Sequence, residues 1–191
     1  MDESKIQEIL KECDAHLEGH FLLSSGMHSP AYIQCAMLLQ HPGRAGVICA
    51  ALADLWKEEK PDVVVGPALG GILVAYELAR ALGARALFTE RKDGIMQLRR
   101  GFTVSGKERI IVSEDIVTSG KSAKETIDVL REAGGNVIGV TSIGNRNPGN
   151  PFDLPFRSLV RFDFPVHQPD DCPLCANGIP VVKPGSRDKV K

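Results

Sequence analysis

Ile110-Ile-Val-Ser-Glu-Asp-Ile-Val-Thr-Ser-Gly-Lys-Ser122 decides the fold. A β-branched apolar run over 109–113 predicts a buried strand. Two adjacent acids, Glu114 and Asp115, follow it, and a small loop from Thr118 to Ser122 opens a helix. That helix is expected over 122–133, with Ala123, Ile127 and Leu130 inward and Gly134-Gly135 as its stop. The same alternation extends outward on both sides. Strands are expected at 62–66, 84–89, 136–143 and 158–164, and helices at 43–59 and 72–82, the latter ending at Gly83. Parallel neighbours need crossover connections, so strands separated by helices predict an α/β fold: an open, mostly parallel sheet flanked by helices. A further helix is expected over 5–17, with Ile6, Leu10, Cys13 and Leu17 on one stripe and Ser4 and Gln7 as a capping box. Residues 1–191 read as one domain, with 1–40 and 165–191 as added segments around the core.

Composition excludes several classes. Lys and Arg number 23 against 24 Asp and Glu, a net charge of −1, which lacks the basic footprint of a nucleic-acid coat. The longest uncharged apolar run, 63–76, is too short for a membrane span and carries Gly66, Pro67, Gly70 and Gly71. The chain opens without an apolar leader, and its 5 cysteines are too sparse for a disulfide scaffold, so a reduced cytoplasm is expected.

In open α/β sheets ligands collect beyond the carboxyl ends of the strands. Backbone N–H groups and hydroxyls at the helix start, over Thr118, Ser119, Gly120, Lys121 and Ser122, suit a phosphate. Glu114 and Asp115 beside them suit the vicinal hydroxyls of a sugar, so together they describe a ribose 5-phosphate cradle. Ser122 with Glu125 also fits a plain capping box, and adjacent loop acids are commonly solvated. A nucleotide P-loop is excluded, because Asp115 stands where that motif needs its first glycine.

The stretch 110–122 resembles the PRPP-binding signature of type I phosphoribosyltransferases. Gly19-His-Phe-Leu-Leu-Ser-Ser-Gly-Met-His-Ser-Pro-Ala-Tyr32 is similar to the segment marking the orotate branch of that family. Gly66-Pro-Ala-Leu-Gly-Gly-Ile72 is similar to its pyrophosphate loop, Thr89-Glu-Arg-Lys92 to the start of its mobile catalytic loop, and Ile143-Gly-Asn-Arg146 to its orotate-binding segment. The matches run in order over residues 17 to 146. The resemblance implies the type I phosphoribosyltransferase fold with a small N-terminal hood. It implies transfer of phosphoribose from PRPP to orotate, giving orotidine 5′-monophosphate and pyrophosphate in de novo pyrimidine biosynthesis, with Mg2+ as cofactor. A transferase for another base, or a PRPP-sensing regulator without turnover, stays open beside it.

The resemblance assigns Arg91, Lys92 and Asp115 to catalysis. It assigns PRPP binding to Glu114, Asp115, Ile116, Val117, Thr118, Ser119, Gly120, Lys121, Ser122, Arg91 and Lys92, and orotate binding to Thr118 and Arg146. A guanidinium grips a carboxylate bidentately, which suits Arg146 to that role. Residues 91–107 carry Arg91, Lys92, Arg99, Arg100 and Lys107 against Asp93, with Gly94, Gly101 and Gly106, and are expected to form a flexible basic lid. In the family this lid reaches a partner's site, which implies a homodimer, and neither nucleic acid nor membrane is expected as a partner. Ser24 and Gly70 stand where the family often has lysine, and Arg99 or Arg100 is a candidate replacement.

No metal ligands are assigned. Cys172 and Cys175 form a single C-x-x-C, with His167 as a third candidate and no fourth, so a tight turn with ordinary thiols is expected and a redox pair is the alternative. His16, His20, His28 and His41 show no ligand spacing and are expected to be surface or local packing residues.

Overall fold

The computed structural model describes residues 1–23 and 25–184; Ser24 and residues 185–191, with the expectations that fall on them, lie outside the described residues. The chain runs α1 (Glu3–Glu12), β1 (His16–Leu22), β2 (His28–Ile33), α2 (Cys35–Leu39), α3 (Pro42–Asp54), β3 (Val63–Pro67), α4 (Gly70–Leu82) and β4 (Arg85–Lys92). It continues with β5 (Ile95–Leu98), β6 (Arg109–Val117), α5 (Lys121–Glu132), β7 (Asn136–Asn145), β8 (Phe156–Arg161) and a short α6 (Pro173–Ala176). Six strands form one sheet in the order β5-β4-β3-β6-β7-β8, and β1 and β2 form a separate antiparallel hairpin, the hood. Every pair in the large sheet is parallel except β4 with β5.

Both faces of this sheet are covered, so its central strands are apolar on both sides. Successive side chains of a strand point to opposite faces. Val64 and Ile111 therefore join one core with Ile48, Leu52, Trp56 and Leu78 of the α3–α4 side. Val63, Val65, Ile110 and Val112 join the other, with Ile127 and Leu130 of α5. The first forty residues are part of the first core, since Ile6, Leu10 and Leu38 are buried in it. The described tail from Pro165 onward buries only one apolar side chain, Cys172.

Several boundaries differ from the sequence expectation. α1 stops at Glu12, because Asp14 takes a left-handed conformation (φ 53°) that a short polar side chain tolerates, and Leu17 falls in β1. Its cap is Asp2, whose Oδ1 accepts from the Lys5 N–H at 2.8 Å, not Ser4. β6 runs to Val117, so Glu114 and Asp115 lie inside the strand and not in a loop after it. The reason is tertiary: β7 offers ladder partners as far as Val117 with Asn145. α5 is entered through Gly120 at φ 73° with no side-chain cap, so Ser122 is not a capping residue. Within the expected lid, residues 91–98 form a β4–β5 hairpin, and Phe102 packs edge-on against Phe88 at 5.2 Å. Among the described residues no helix is long and apolar enough to cross a membrane.

Candidate functional site

The strand order places β4 on one side of β3 and β6 on the other, so the chain's direction of travel across the sheet reverses between β3 and β6. A crevice opens at such a switch point beyond the strand ends. Here the end of β3 turns into α4 through Ala68 and Leu69, whose peptide is cis, and the end of β6 brings Asp115 against Gly70. A Cβ on Gly70 would overlap the Asp115 carboxylate, so glycine at this position lets the acid occupy the mouth of the crevice. The departure at Gly70 thus has a steric reason within this chain.

From that mouth a cleft of about 730 Å³ opens between the sheet and the hood. Its floor holds Asp115, Thr118, Ser119 and Arg146, its roof Tyr32, and its outer wall Val166 and Lys183. The ends of β6 and β7 are locked together: Arg146 N–H donates to the Val117 carbonyl at 2.8 Å, and the Asn147 side-chain amide donates to the Thr118 carbonyl at 2.9 Å. Arg146 is half-buried with its guanidinium 5.5 Å from the centre of the Phe164 ring. It makes no ion pair with an acid among the described residues. Burial lowers its pKa, the mark of a cation whose hydration has been removed. An anion entering the cleft would restore what burial removed.

The acids show the converse. Burial raises the pKa of Asp115, although its Oδ1 accepts from the Ile116 N–H at 2.7 Å. Burial, then the charge of Asp115, pushes Glu114 up to about 8. Among the described residues no cation contributes to either shift, and such an acid suits hydroxyl donors or a hard metal ion. A folded-state pKa of about 8 against an ordinary 4.5 means that the native state keeps a proton the unfolded chain has lost. Stability therefore falls as pH rises through that window. Glu114→Gln is expected to melt above the parent chain beyond pH 8, with the gain shrinking toward pH 4.5. Thermal melts across that range check this, and a pH-independent difference would contradict it.

The expected residues do not all converge. Asp115, Ile116, Thr118, Ser119 and Arg146 line one cleft, but Glu114 does not. Ser119 and Gly120 lead into the first turn of α5, where the Lys121 N–H reaches the Ser119 hydroxyl at 3.4 Å. Arg91 is ion-paired with Glu125 and lies 3.5 Å from the Ser122 hydroxyl, so it stands beside the start of α5 and outside the cleft. Lys92 is exposed at the end of β4. Arg99 and Arg100 both bind Glu90, at 3.1 and 2.8 Å, which occupies the candidates for a replacement cation. Tyr32, Asn147 and Lys183 were not singled out as site residues by sequence. Tyr32 ends the quoted hood motif, whereas nothing in the local sequence marks Lys183.

The family model described as a phosphoribosyl transferase domain matches residues 34–153. The chain is 49% identical over 188 residues to the orotate phosphoribosyltransferase of Caldanaerobacter subterraneus subsp. tengcongensis, covering 98% of this chain and 99% of that one. It is 51% identical over 183 residues to the orotate phosphoribosyltransferase of Thermotoga maritima, covering 95% and 98%. Among solved structures, the orotate phosphoribosyltransferase of Mycobacterium tuberculosis superposes with a TM-score of 0.71 at 26% identity, over 85% of this chain and 97% of that one. With about half of its residues shared across nearly its whole length, the chain belongs to the orotate phosphoribosyltransferases of the phosphoribosyltransferase family.

Proposed function

We propose that the cleft joins orotate to the ribose of PRPP, releasing pyrophosphate and forming orotidine 5′-monophosphate for pyrimidine biosynthesis. The observation that carries this reading is the pairing, across one 730 Å³ cleft, of a desolvated acid, Asp115, with a desolvated cation, Arg146, that has no acid partner among the described residues. The first suits a sugar diol and the second an aromatic carboxylate.

The 5-phosphate sits on the Thr118–Ser122 turn, where the left-handed Gly120 turns the chain into α5 and the helix dipole favours an anion. Asp115 accepts hydrogen bonds from the ribose hydroxyls, and Glu114 stands behind it in β6, outside the cleft lining. Arg146 and Thr118 hold the base so that its ring nitrogen faces the anomeric carbon; the C–N bond forms as the C–O bond to the diphosphate breaks, and the ring N–H proton leaves with the diphosphate. The electron pair of the breaking C–O bond leaves with the diphosphate and positive charge develops on the sugar, so positioning and electrostatics supply most of the rate. The diphosphate lies along the Ala68–Gly71 turn, with Arg91 and Lys92 as its cationic partners. Mg2+ fits this donor set, which is oxygen-rich and negative, and when bound it neutralises diphosphate charge.

Leu69, Leu73 and Tyr76 lie along one side of α4 and its entrance and are 83%, 50% and 63% exposed. Such an apolar strip suits a second copy of the chain, in a homodimer that brings the basic β4–β5 hairpin to the neighbouring site. A reduced cytoplasm fits the free cysteines. The test is a base panel with PRPP and Mg2+, run on protein whose mass in solution is measured first. Pyrophosphate release with orotate alone and a two-chain mass are expected. Release with hypoxanthine or xanthine but not orotate would overturn the substrate, and a one-chain mass the dimer.

A further inference from the structure

Four ligand-type side chains outside the cleft meet in one place. His20 stands in β1, His28 opens β2, and Cys172 and Cys175 bracket the short α6 of the tail. Cys172 lies 152 residues from His20 in sequence, yet its Sγ is 3.5 Å from His20 Nε2. Cys175 Sγ lies 3.8 Å from the same nitrogen and 3.3 Å from His28 Nδ1. The two imidazole nitrogens are 2.8 Å apart, and all four donor atoms fall within 4.8 Å of one another. A tetrahedral zinc with ordinary bond lengths has N···S edges of about 3.5 Å and an N···N edge of about 3.3 Å. The three short sulfur–nitrogen spacings already lie near that edge, and the two rings need to separate by only about 0.5 Å.

The orientation of His20 is fixed from behind. Its Nδ1 lies 2.7 Å from the Ile179 carbonyl oxygen, which can only accept, so Nδ1 carries the ring proton. In the neutral ring Nε2 then has a lone pair, and that lone pair faces the other three donor atoms. A second partner that sets the tautomer and aims the ring is the usual support of a metal-bound histidine. The same turn supplies ligands and support. Gly178 N–H donates to the Cys175 carbonyl at 2.9 Å and Ile179 N–H to the Leu174 carbonyl at 3.0 Å, which folds the chain back so that Ile179 reaches His20. His20, His28 and Cys172 are 3%, 6% and 2% exposed. Two thiols in a plain turn would leave two buried imidazoles aimed at them without a reason.

The tail also has little else to hold it. Val166, Ile179, Val181 and Val182 are all between 43% and 51% exposed, and Cys172 is its one buried apolar side chain among the described residues. It is strapped to the hood by backbone bonds: His28 and His167 exchange a pair at 2.9 Å, Val182 N–H donates to the His20 carbonyl at 2.8 Å, and Leu22 N–H to the Val182 carbonyl at 2.9 Å. Segments too small to build a core are commonly stapled by a disulfide or a structural metal.

We propose that His20, His28, Cys172 and Cys175 form a closed structural zinc site that fastens the C-terminal tail to the hood. Two thiolates and two imidazoles balance the charge of the dication, select zinc over the oxygen-seeking magnesium, and leave no open coordination position for catalysis. Binding deprotonates the two thiols and releases about two protons per metal. Val166 and Lys183 each adjoin a strapped residue and line the cleft, so the zinc also holds one wall of the base site; this last consequence rests on the proposed function, the metal site itself does not.

The test uses the full chain, free of any affinity tag and purified without chelator under reducing conditions. Elemental analysis is expected to find about one zinc per chain, released in step with blocking of the cysteines by an organomercurial. Exchange with Co2+ is expected to give the visible bands of tetrahedral cobalt with thiolate charge transfer in the near ultraviolet. Cys175→Ser, at an exposed position, and the double variant with Cys172→Ser are expected to lose the metal. Should the double variant not fold, chelation of the parent chain at matched temperature supplies the readout: proteolysis then begins in the tail while the sheet stays intact. Trace metal only after anaerobic incubation with zinc, a Cys172–Cys175 disulfide trapped in fresh lysate, or full zinc in the double serine variant would each overturn the proposal. A zinc-loaded chain inactive on every base would sink the function and leave the zinc site standing, whereas an active zinc-free chain would do the reverse.

Discussion

Asp115→Asn is expected to lower kcat/KM for PRPP by about two to three orders of magnitude while leaving the fold intact. Asparagine keeps the shape of the side chain and the acceptor for the Ile116 N–H, so the local turn survives. It loses the negative charge. A carboxylate gripping a diol makes two charge-assisted hydrogen bonds, each contributing about 1.5–3 kcal/mol. Losing most of that strength costs about 3–4 kcal/mol in the transition state, hence the fold-change. The melting temperature should hold or rise, because burial already disfavours the charged form of this acid. Gly70→Ala reaches the same carboxylate by another route, displacing it sterically without changing its charge, and is expected to give a loss of the same kind. Steady-state kinetics at saturating orotate check both. Turnover within about threefold of the parent in Asp115→Asn would remove the acid from the mechanism.

Arg146→Ala is expected to raise KM for orotate by about two orders of magnitude or more, with KM for PRPP moved far less. The guanidinium is desolvated and makes no ion pair among the described residues, so its attraction for an incoming carboxylate is not screened by a competing acid. Truncating one partner of a buried charge pair costs about 2–5 kcal/mol. Arg146→Lys keeps the charge but loses the planar fork, and should recover only part of the loss. Uracil, the same ring without the carboxylate, sharpens the test. The parent enzyme should strongly prefer orotate, and the alanine variant should lose most of that preference. A preserved preference would place the carboxylate elsewhere in the cleft.

Local chemistry made much of the fold legible. The β-branched runs at Val63–Val65 and Ile110–Val112 are buried on both faces, and Gly83 ends α4 in the left-handed conformation its position foretold. The errors came where a neighbour overruled local preference. Acids are poor strand formers, yet β7 carries β6 through Glu114 and Asp115. Ser122 satisfies a capping pattern, yet Gly120 enters the helix instead and Arg91 comes up to the serine hydroxyl. Composition marks the segment after Arg91 as basic and glycine-rich, but that β5 pairs with β4 and that Glu90 gathers two of its arginines are tertiary facts.

The order of strands and helices, the phosphate turn, the adjacent acids and Arg146 are properties of short windows, because each depends on residues a few positions apart. Whether two such windows share a cleft depends on which strands become neighbours. The crossing between β3 and β6 brings Gly70 under Asp115, and a backbone strap brings Lys183 to the cleft wall. The same limit hid the four metal-type ligands: His20 and Cys175 are 155 residues apart, and no spacing rule spans that distance. Sequence fixes what each side chain can donate or accept, and only the packed chain fixes which donors face one another.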